Sequence, residues 1–318
     1  MNKQPVDIHD KKYNRNLLVL VLIIGSFCTV LNSTLLSTAL PSIMKDFNIS
    51  TATAEWLSTA FLLVNGIMIP ISAWLINRFG SRKMYLTAMA IFFIGTVTAA
   101  VAPNFGTLLA GRIIQGLSVG VTMPLLQTIM LSIFPADKRG AAMGTVGIVI
   151  GLAPAIGPTL SGLIIDNLSW RYLFSIIAPI AGIVLVLAFF LVKDVLPTKE
   201  EKIDIISVAT STIGFGSLLY GFSEAGNKGW PNPGILAFIG FGIIFIILFG
   251  IRQLKMYDPF LDITVFKHFE FSLAAILSGV TYLAMVGIEM VLPLYIQNLR
   301  GESAFHSGLI LLPGALML

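Results

Sequence analysis

Charge is what this sequence has least of. Only 11% of its 318 residues are Asp, Glu, Lys or Arg, against about 25% in an ordinary soluble domain. The charges are also clumped, leaving apolar stretches of roughly 18 residues or more, enough to cross a bilayer core. A water-soluble globular domain is excluded. Cysteine is almost absent: Cys28 stands alone, inside the first apolar run, which excludes a disulfide framework and a cysteine-built metal site. The three histidines, His9, His268 and His306, fall in tails or between apolar runs and give a histidine proton relay no support. No metal-ligand cluster, phosphate-binding loop or hydrolytic constellation is present. "GFGSLLYG" (214–221) has glycines but lacks the lysine and strand context of a nucleotide loop. An ATP-driven pump and an enzyme are therefore disfavoured, and neither cofactor nor metal is expected.

What is present is hydrophobic residue, 56% of the chain, with a mean hydropathy of +0.89. The reading is an all-α polytopic membrane protein surrounded by lipid. Apolar segments fall at about 17–40, 53–76, 84–102, 105–134, 140–165, 170–192, 205–223, 234–251 and 272–296, and another begins near Ser307. The basic N-terminus, "MNKQPVDIHDKKYNRN", is followed by an apolar run with no small-residue cleavage site, so the run reads as a retained helix and not a signal peptide. The net charge of +4 follows membrane topology and does not point to nucleic acid. With the N-terminus in the cytoplasm, Arg78, Arg82, Lys83, Lys138, Arg139, Lys193, Lys199, Lys202, Arg252, Lys255 and Lys267 lie inside with the tail. Lys45, Arg171, Lys228 and Arg300 lie outside. That bias fits the positive-inside rule, and the reverse orientation would violate it at nearly every loop. The longest polar break, "VKDVLPTKEEKID" (192–204), divides the chain. It is expected to end a first six-helix bundle over 1–192 and to form a cytoplasmic linker over 193–204. The final segment stops without a polar boundary, so the chain is expected to be C-terminally truncated and, alone, not to transport.

One apolar run carries residues that make a poor helix in water. "GIVIGLAPAIGPTLSG" (147–162) holds four glycines and two prolines. Gly147, Gly151 and Ala155 recur every four residues, and Thr159 extends the row. In lipid such small residues let helix backbones approach, while Pro154 and Pro158 free carbonyls and bend the helix. The alternative on composition alone is a tightly packed, kinked helix without a substrate role. Arg112 is the basic residue that falls inside an apolar segment, about 10 Å from its outer boundary by helix rise. Charge at that depth is costly and faces a cavity or partner, unless it snorkels outward.

Several stretches carry a resemblance to the major facilitator superfamily. "GTVGIVIGLAPAIGPTLSG" (144–162) resembles its antiporter motif: Gly144, Gly157, Pro158 and Gly162 match, while Ala153 and Ser161 stand where the family has Gly. "AWLINRFGSRKMYL" (73–86) resembles its cytoplasmic loop motif. There Gly80 supplies a tight turn and Arg78, Arg82 and Lys83 the charge, with Asn77 replacing an Asp and Ala73 a Gly. "LLAGRIIQGLSVGV" (108–121) resembles the motif whose buried Arg, here Arg112, is linked to proton coupling. "VLNSTLLSTALP" (30–41) resembles the signature of the fourteen-helix drug:proton antiporter branch, with Asn32 in place of an Asp and Ser37 in place of an Asn. The resemblance implies a major facilitator fold in a bacterial plasma membrane, with two inserted helices and their following loop over 205–268, the start of a second bundle over 269–318, and an antiporter motif that helps a moving cavity seal. It also implies a cytoplasmic charge latch that Asn77 weakens.

Glu289, in "MVGIEMVLP", is an acid well inside an apolar segment, whereas Glu55, Asp166 and Glu224 sit at segment ends where capping or solvated roles suit them. With the family's usual acid absent at Asn32 and Asn77, Glu289, Arg112 and Asn32 become the candidates for proton coupling at the cavity. The implied function is proton-coupled export of amphipathic drugs or toxic compounds, cationic ones among them, by alternating access. The expected partners are small-molecule substrates, protons and lipid; the sequence sets no oligomeric state. The alternatives are a same-fold transporter of a single metabolite and a non-transporting membrane scaffold. A headgroup-facing or neutral, hydrogen-bonded Glu289 is the bland reading of that residue.

Overall fold

A computed structural model describes residues 8, 12–198, 204–257, 259 and 261–316. Among these residues there is no strand, and nine helices are long and apolar enough to cross a membrane. They are α1 (Arg15–Phe47), α2 (Thr51–Phe79), α3 (Ser81–Ala100), α4 (Phe105–Ile133), α5 (Arg139–Asn167), α6 (Arg171–Leu191), α7 (Ile205–Lys228), α8 (Pro233–Lys255) and α9 (Phe269–Leu294), followed by a shorter α10 (Ala304–Leu316). Every apolar segment marked in the sequence is occupied by one helix. The first overruns its expected end: α1 continues through Pro41 to Phe47. A proline removes one backbone hydrogen bond, and neighbouring helices in a membrane bundle can offset that loss.

Short polar stops set the turns between helices. Asn14, Ser50, Asn104 and Asn232 each accept backbone N–H groups through a side-chain oxygen at the start of α1, α2, α4 and α8, satisfying donors that the helix itself leaves open. Asn48 ends α1 in the left-handed conformation, and Gly80 joins α2 to α3 at φ 79°. Successive helices therefore run antiparallel. One end of the molecule carries the start of α1 and the α2–α3 turn (the N-terminal side); the other carries the α1–α2 turn (the far side).

Helices α1 to α6 pack around two apolar cores. The core toward the N-terminal side joins Leu18, Leu22, Tyr85, Met89, Phe92, Leu126, Val146 and Val184, among others. The core toward the far side joins Leu36, Ile43, Leu57, Leu108, Trp170 and Phe174. At that far rim Asp46 accepts from Arg171 Nη1 at 2.7 Å and from Trp170 Nε1 at 3.0 Å, tying α1 to α6. Between the cores lies a band of buried polar residues that includes Asn32, Thr96, Arg112, Gln115 and Ser118.

The polar linker is partly docked. Val195 N donates to Ser81 Oγ at 2.9 Å and Arg82 N to Asp194 Oδ1 at 2.8 Å, so its first residues lie against the α2–α3 turn. Residues 199–203 lie outside the described residues. Helices α7 and α8 form a hairpin on the outside of α2. At its N-terminal-side end Asp204 holds Arg252 through two contacts, at 2.6 and 2.7 Å. The Arg252 guanidinium beside it, with help from Ser207, lowers the Asp204 carboxyl from its ordinary 3.8 to about 2. A carboxyl depressed on folding adds stability above its unfolded value and loses it as pH falls through the folded one. The hairpin should therefore weaken between about pH 4 and 2. We expect Arg252→Ala to lower the melting temperature at neutral pH and to flatten the acid dependence in that window. Circular dichroism melts at stepped pH check this, and an unchanged acid profile would contradict it.

Candidate functional site

The polar band is organised by one side chain. Arg112 sits two turns into α4, 1% exposed. Small residues on α4 put it there. A Cβ on Gly111 would lie 2.9 Å from the Gly95 carbonyl oxygen of α3, and one on Gly116 would lie 2.8 Å from the Phe61 carbonyl oxygen of α2. Only glycine permits backbones to come so close. The guanidinium Nε then donates to the Leu57 carbonyl at 3.3 Å, and Nη1 donates to Asn32 Oδ1 and to Gln115 Oε1, each at 3.0 Å. Gln115 Nε2 donates onward to Thr96 Oγ1 at 3.0 Å, and Thr96 Oγ1 to the Phe92 carbonyl at 2.7 Å. The Phe61 ring lies 4.2 Å from the Arg112 Cζ, a cation–π distance.

Arg112 thus points inward and does not snorkel, and the structure brings it together with Asn32. Gln115 and Thr96 were missed in the sequence. The signal for Gln115 was its position three residues after Arg112, which puts both on one helical face; Thr96 had none. Glu289 belongs to α9, but its side chain lies outside the described residues. Of the acids at segment ends, Asp166 accepts from Phe305 N at 3.0 Å at the start of α10, and Glu224 pairs with Lys228 at 2.7 Å, as capping and end roles require.

Beside Arg112 is a cavity of about 380 Å³ enclosed by α1, α2, α4, α5 and α9. Its wall mixes Phe61, Tyr282, Met123 and Met285 with the short polar side chains of Ser33, Thr34, Ser37 and Ser58. Arg112 is the one charged residue among the described lining residues.

The glycine–proline segment of α5 is used differently from the row read in the sequence. A Cβ at Gly144, Gly147 or Gly151 would meet nothing within 4 Å, so these glycines pack against no helix among the described residues. The close contact lies at Gly157, where a Cβ would run into Thr34 Oγ1. Ser161 continues that face: it donates to the Leu35 carbonyl and accepts from Thr38 Oγ1, each at 2.6 Å. Gly162 is buried, and Pro154 lines the cavity. On another face α10 approaches, with a Cβ on Gly308 only 2.6 Å from the Pro158 carbonyl oxygen. The 29 residues of α5 span about 44 Å, whereas the 13 described residues of α10 span about 20 Å and cover only its far-side half.

At the α2–α3 turn Gly80 takes the positive φ expected of it. Asn77, Arg78 and Lys83 are exposed, while Arg82 Nη2 donates to the Phe189 carbonyl at 2.8 Å. The acid that the resemblance finds lacking at Asn77 is met from elsewhere. Asp194, beyond α6, accepts from Arg82 N, and a Cβ on Gly80 would lie 2.7 Å from its Oδ1. No local signal in the sequence joins positions 112 residues apart.

Two substitutions in the same motif separate packing from composition. We expect Gly157→Leu to cost about 1–3 kcal/mol through overpacking against Thr34, and Gly147→Leu, which opens onto space, to leave stability unchanged. Thermal unfolding of the purified variants reads the difference; equal losses would contradict the packing described.

Comparison with known proteins agrees with this geometry. The sequence model of the Major Facilitator Superfamily matches residues 22–318. An uncharacterized MFS-type transporter of Bacillus subtilis, YcnB, is 51% identical over 98% of this chain and 66% of its own length. The lincomycin resistance protein LmrB of the same organism is 40% identical over 94% of this chain and 63% of its own length. The chain therefore spans about two thirds of the length of these relatives. Among solved structures, a bacterial homolog of the human lysosomal transporter Spinster aligns over 80% of this chain and 64% of its own, with TM-score 0.50 and 17% identity, a likeness that shows the fold alone. The nine apolar helices and the matched sequence model together make this chain a multi-pass membrane protein of the Major Facilitator Superfamily, a family of transporters and not of enzymes.

Proposed function

We propose that this chain serves in proton-coupled export of amphipathic drugs or toxic compounds across the cytoplasmic membrane, by alternating access, and that it belongs to the fourteen-helix branch of its superfamily. The observation that carries the reading is the cavity beside Arg112. Walls of aromatic, methionine and short polar side chains with one charge suit many amphipathic bodies, since apolar walls with a few placed polar groups accept ligands by shape and burial. A transporter of a single polar metabolite calls for several convergent charges. The similarity to a protein named for lincomycin resistance also supports a drug-sized cargo.

The N-terminus is cytoplasmic in this reading. Arg78, Arg82 and Lys83 lie at the same end of the bundle as the start of α1, which fits the positive-inside rule. Helices α1 to α6 act as one bundle, α7 and α8 as an insertion, and α9 with α10 as the beginning of a second bundle. Alternating access then consists of this second unit rocking on the first, with the Pro158–Gly308 contact between α5 and α10 as a surface that seals and parts.

Proton coupling falls to Glu289. Tyr282, Met285 and Val286 of α9 line the cavity, and Glu289 follows Val286 by three residues in the same helix. An ionisable group within a membrane span is a functional candidate by its cost alone. The test uses a polypeptide of the relatives' length that carries this sequence, reconstituted in proteoliposomes. We expect Glu289→Gln to abolish dye efflux driven by an imposed pH gradient while equilibrium dye binding persists. Undiminished gradient-driven efflux would overturn the assignment.

A further inference from the structure

The charge on Arg112 has no carboxylate partner among the described residues. A guanidinium has five N–H groups. The Nε proton goes to the Leu57 carbonyl, and the two on Nη1 go to Asn32 Oδ1 and Gln115 Oε1. All three acceptors are neutral. The two protons of Nη2 have no acceptor among the described residues. Nδ2 of Asn32, the residue that accepts from Nη1, is buried without a partner among the described residues. Turning the Asn32 amide over does not help, because it would set N–H against the N–H of Arg112 Nη1. Burying a cation against dipoles alone is costly, and an anion brought to it relieves that cost.

The cavity wall offers no other free donor to compete for such an anion on α1. Ser33, Thr34 and Ser37 give their hydroxyl protons to carbonyls three residues back in their own helix. The rest of the wall is mostly apolar, with Leu62, Ile69, Val119, Met123 and Met285, and carries the neutral polar side chains of Ser58, Asn65, Gln127 and Tyr282. A guanidinium with open N–H capacity, lining a largely apolar chamber whose other described lining residues are neutral, is a complement to one kind of solute.

We infer that the cavity selects amphipathic organic anions, a carboxylate or sulfonate head on an apolar body, with the head bound by Arg112. This rests on the transport reading only for the identity of the cavity as the cargo site. It departs from the cationic substrates expected from the sequence. An Asn at position 32 is what leaves the site open: an Asp there would place a carboxylate at the 3.0 Å contact with Nη1 and occupy the cation internally.

The test is equilibrium binding to the 318-residue chain in nanodiscs of neutral phosphatidylcholine, with no proton gradient. The probe is fluorescent anilinonaphthalenesulfonate, displaced by octanesulfonate or by octyltrimethylammonium, which share a tail and differ in head charge; empty discs correct for partitioning. We expect octanesulfonate to displace the probe and the ammonium to do so about tenfold more weakly or worse, the scale of one or two charge-assisted hydrogen bonds. Arg112→Gln should erase the preference. Because that variant leaves neighbouring acceptors unsatisfied and can misfold, Asn32→Asp provides a second reading. It should keep or raise the melting temperature and weaken octanesulfonate about tenfold. Equal displacement by both heads, or undiminished octanesulfonate affinity in Asn32→Asp, would overturn the inference. Loss of displacement in discs containing phosphatidylglycerol would assign the site to a lipid headgroup and overturn it as a solute site. None of these outcomes bears on gradient-driven efflux, so the two readings fail separately.

Discussion

A cation held in a low-dielectric interior by neutral groups is the constraint around which this chain is arranged. Arg112 reaches a depth where charge is costly, and the structure answers with two side-chain amide oxygens, one backbone carbonyl and an aromatic face. Apart from Gln115, which shares α4 with Arg112, each of those groups comes from a helix that must approach closely. The glycines of α4 permit the approach of α2 and α3, and Asn32 fixes the rotation of α1. Moving any of these helices by an ångström or two would strand the charge, because hydrogen bonds weaken steeply with distance and angle.

The same constraint explains where the cavity lies. The polar band separates two apolar cores, so close packing is interrupted at that level and room opens between α1, α2, α4, α5 and α9. Helix α5 can bend around the opening because Pro154 and Pro158 weaken its backbone ladder. Its contact to α1 at Gly157 holds the far-side half in place. Its N-terminal-side half presents Gly144, Gly147 and Gly151 to open space.

Much of this was legible in the sequence, for reasons of scale. Helix number and placement follow from the length of apolar runs between clumped charges, a signal that long-range packing cannot reverse in lipid. The buried position of Arg112 and the positive φ of Gly80 followed from the cost of charge at depth and from turn geometry. Pairings between distant segments were not legible. Asp194 reaches the α2–α3 turn across 112 residues, and Thr96 meets Gln115 from a different helix; no period or composition joins them. For the row of Gly147 and Gly151, a smooth face shows that a neighbour could approach, and not which glycines have one among the described residues. Gly157 lies outside that four-residue row and makes the contact.

The most direct measurement is a high-resolution cryo-electron microscopy map of the chain in neutral lipid, recorded with and without octanesulfonate. An Arg112 with an open Nη2 in the first map and sulfonate density within hydrogen-bonding distance of it in the second is the expected result. A carboxylate of the chain already bound to Nη2 without ligand would contradict it, since the cation would then be compensated from within and the cavity would have no electrostatic reason to prefer an anion.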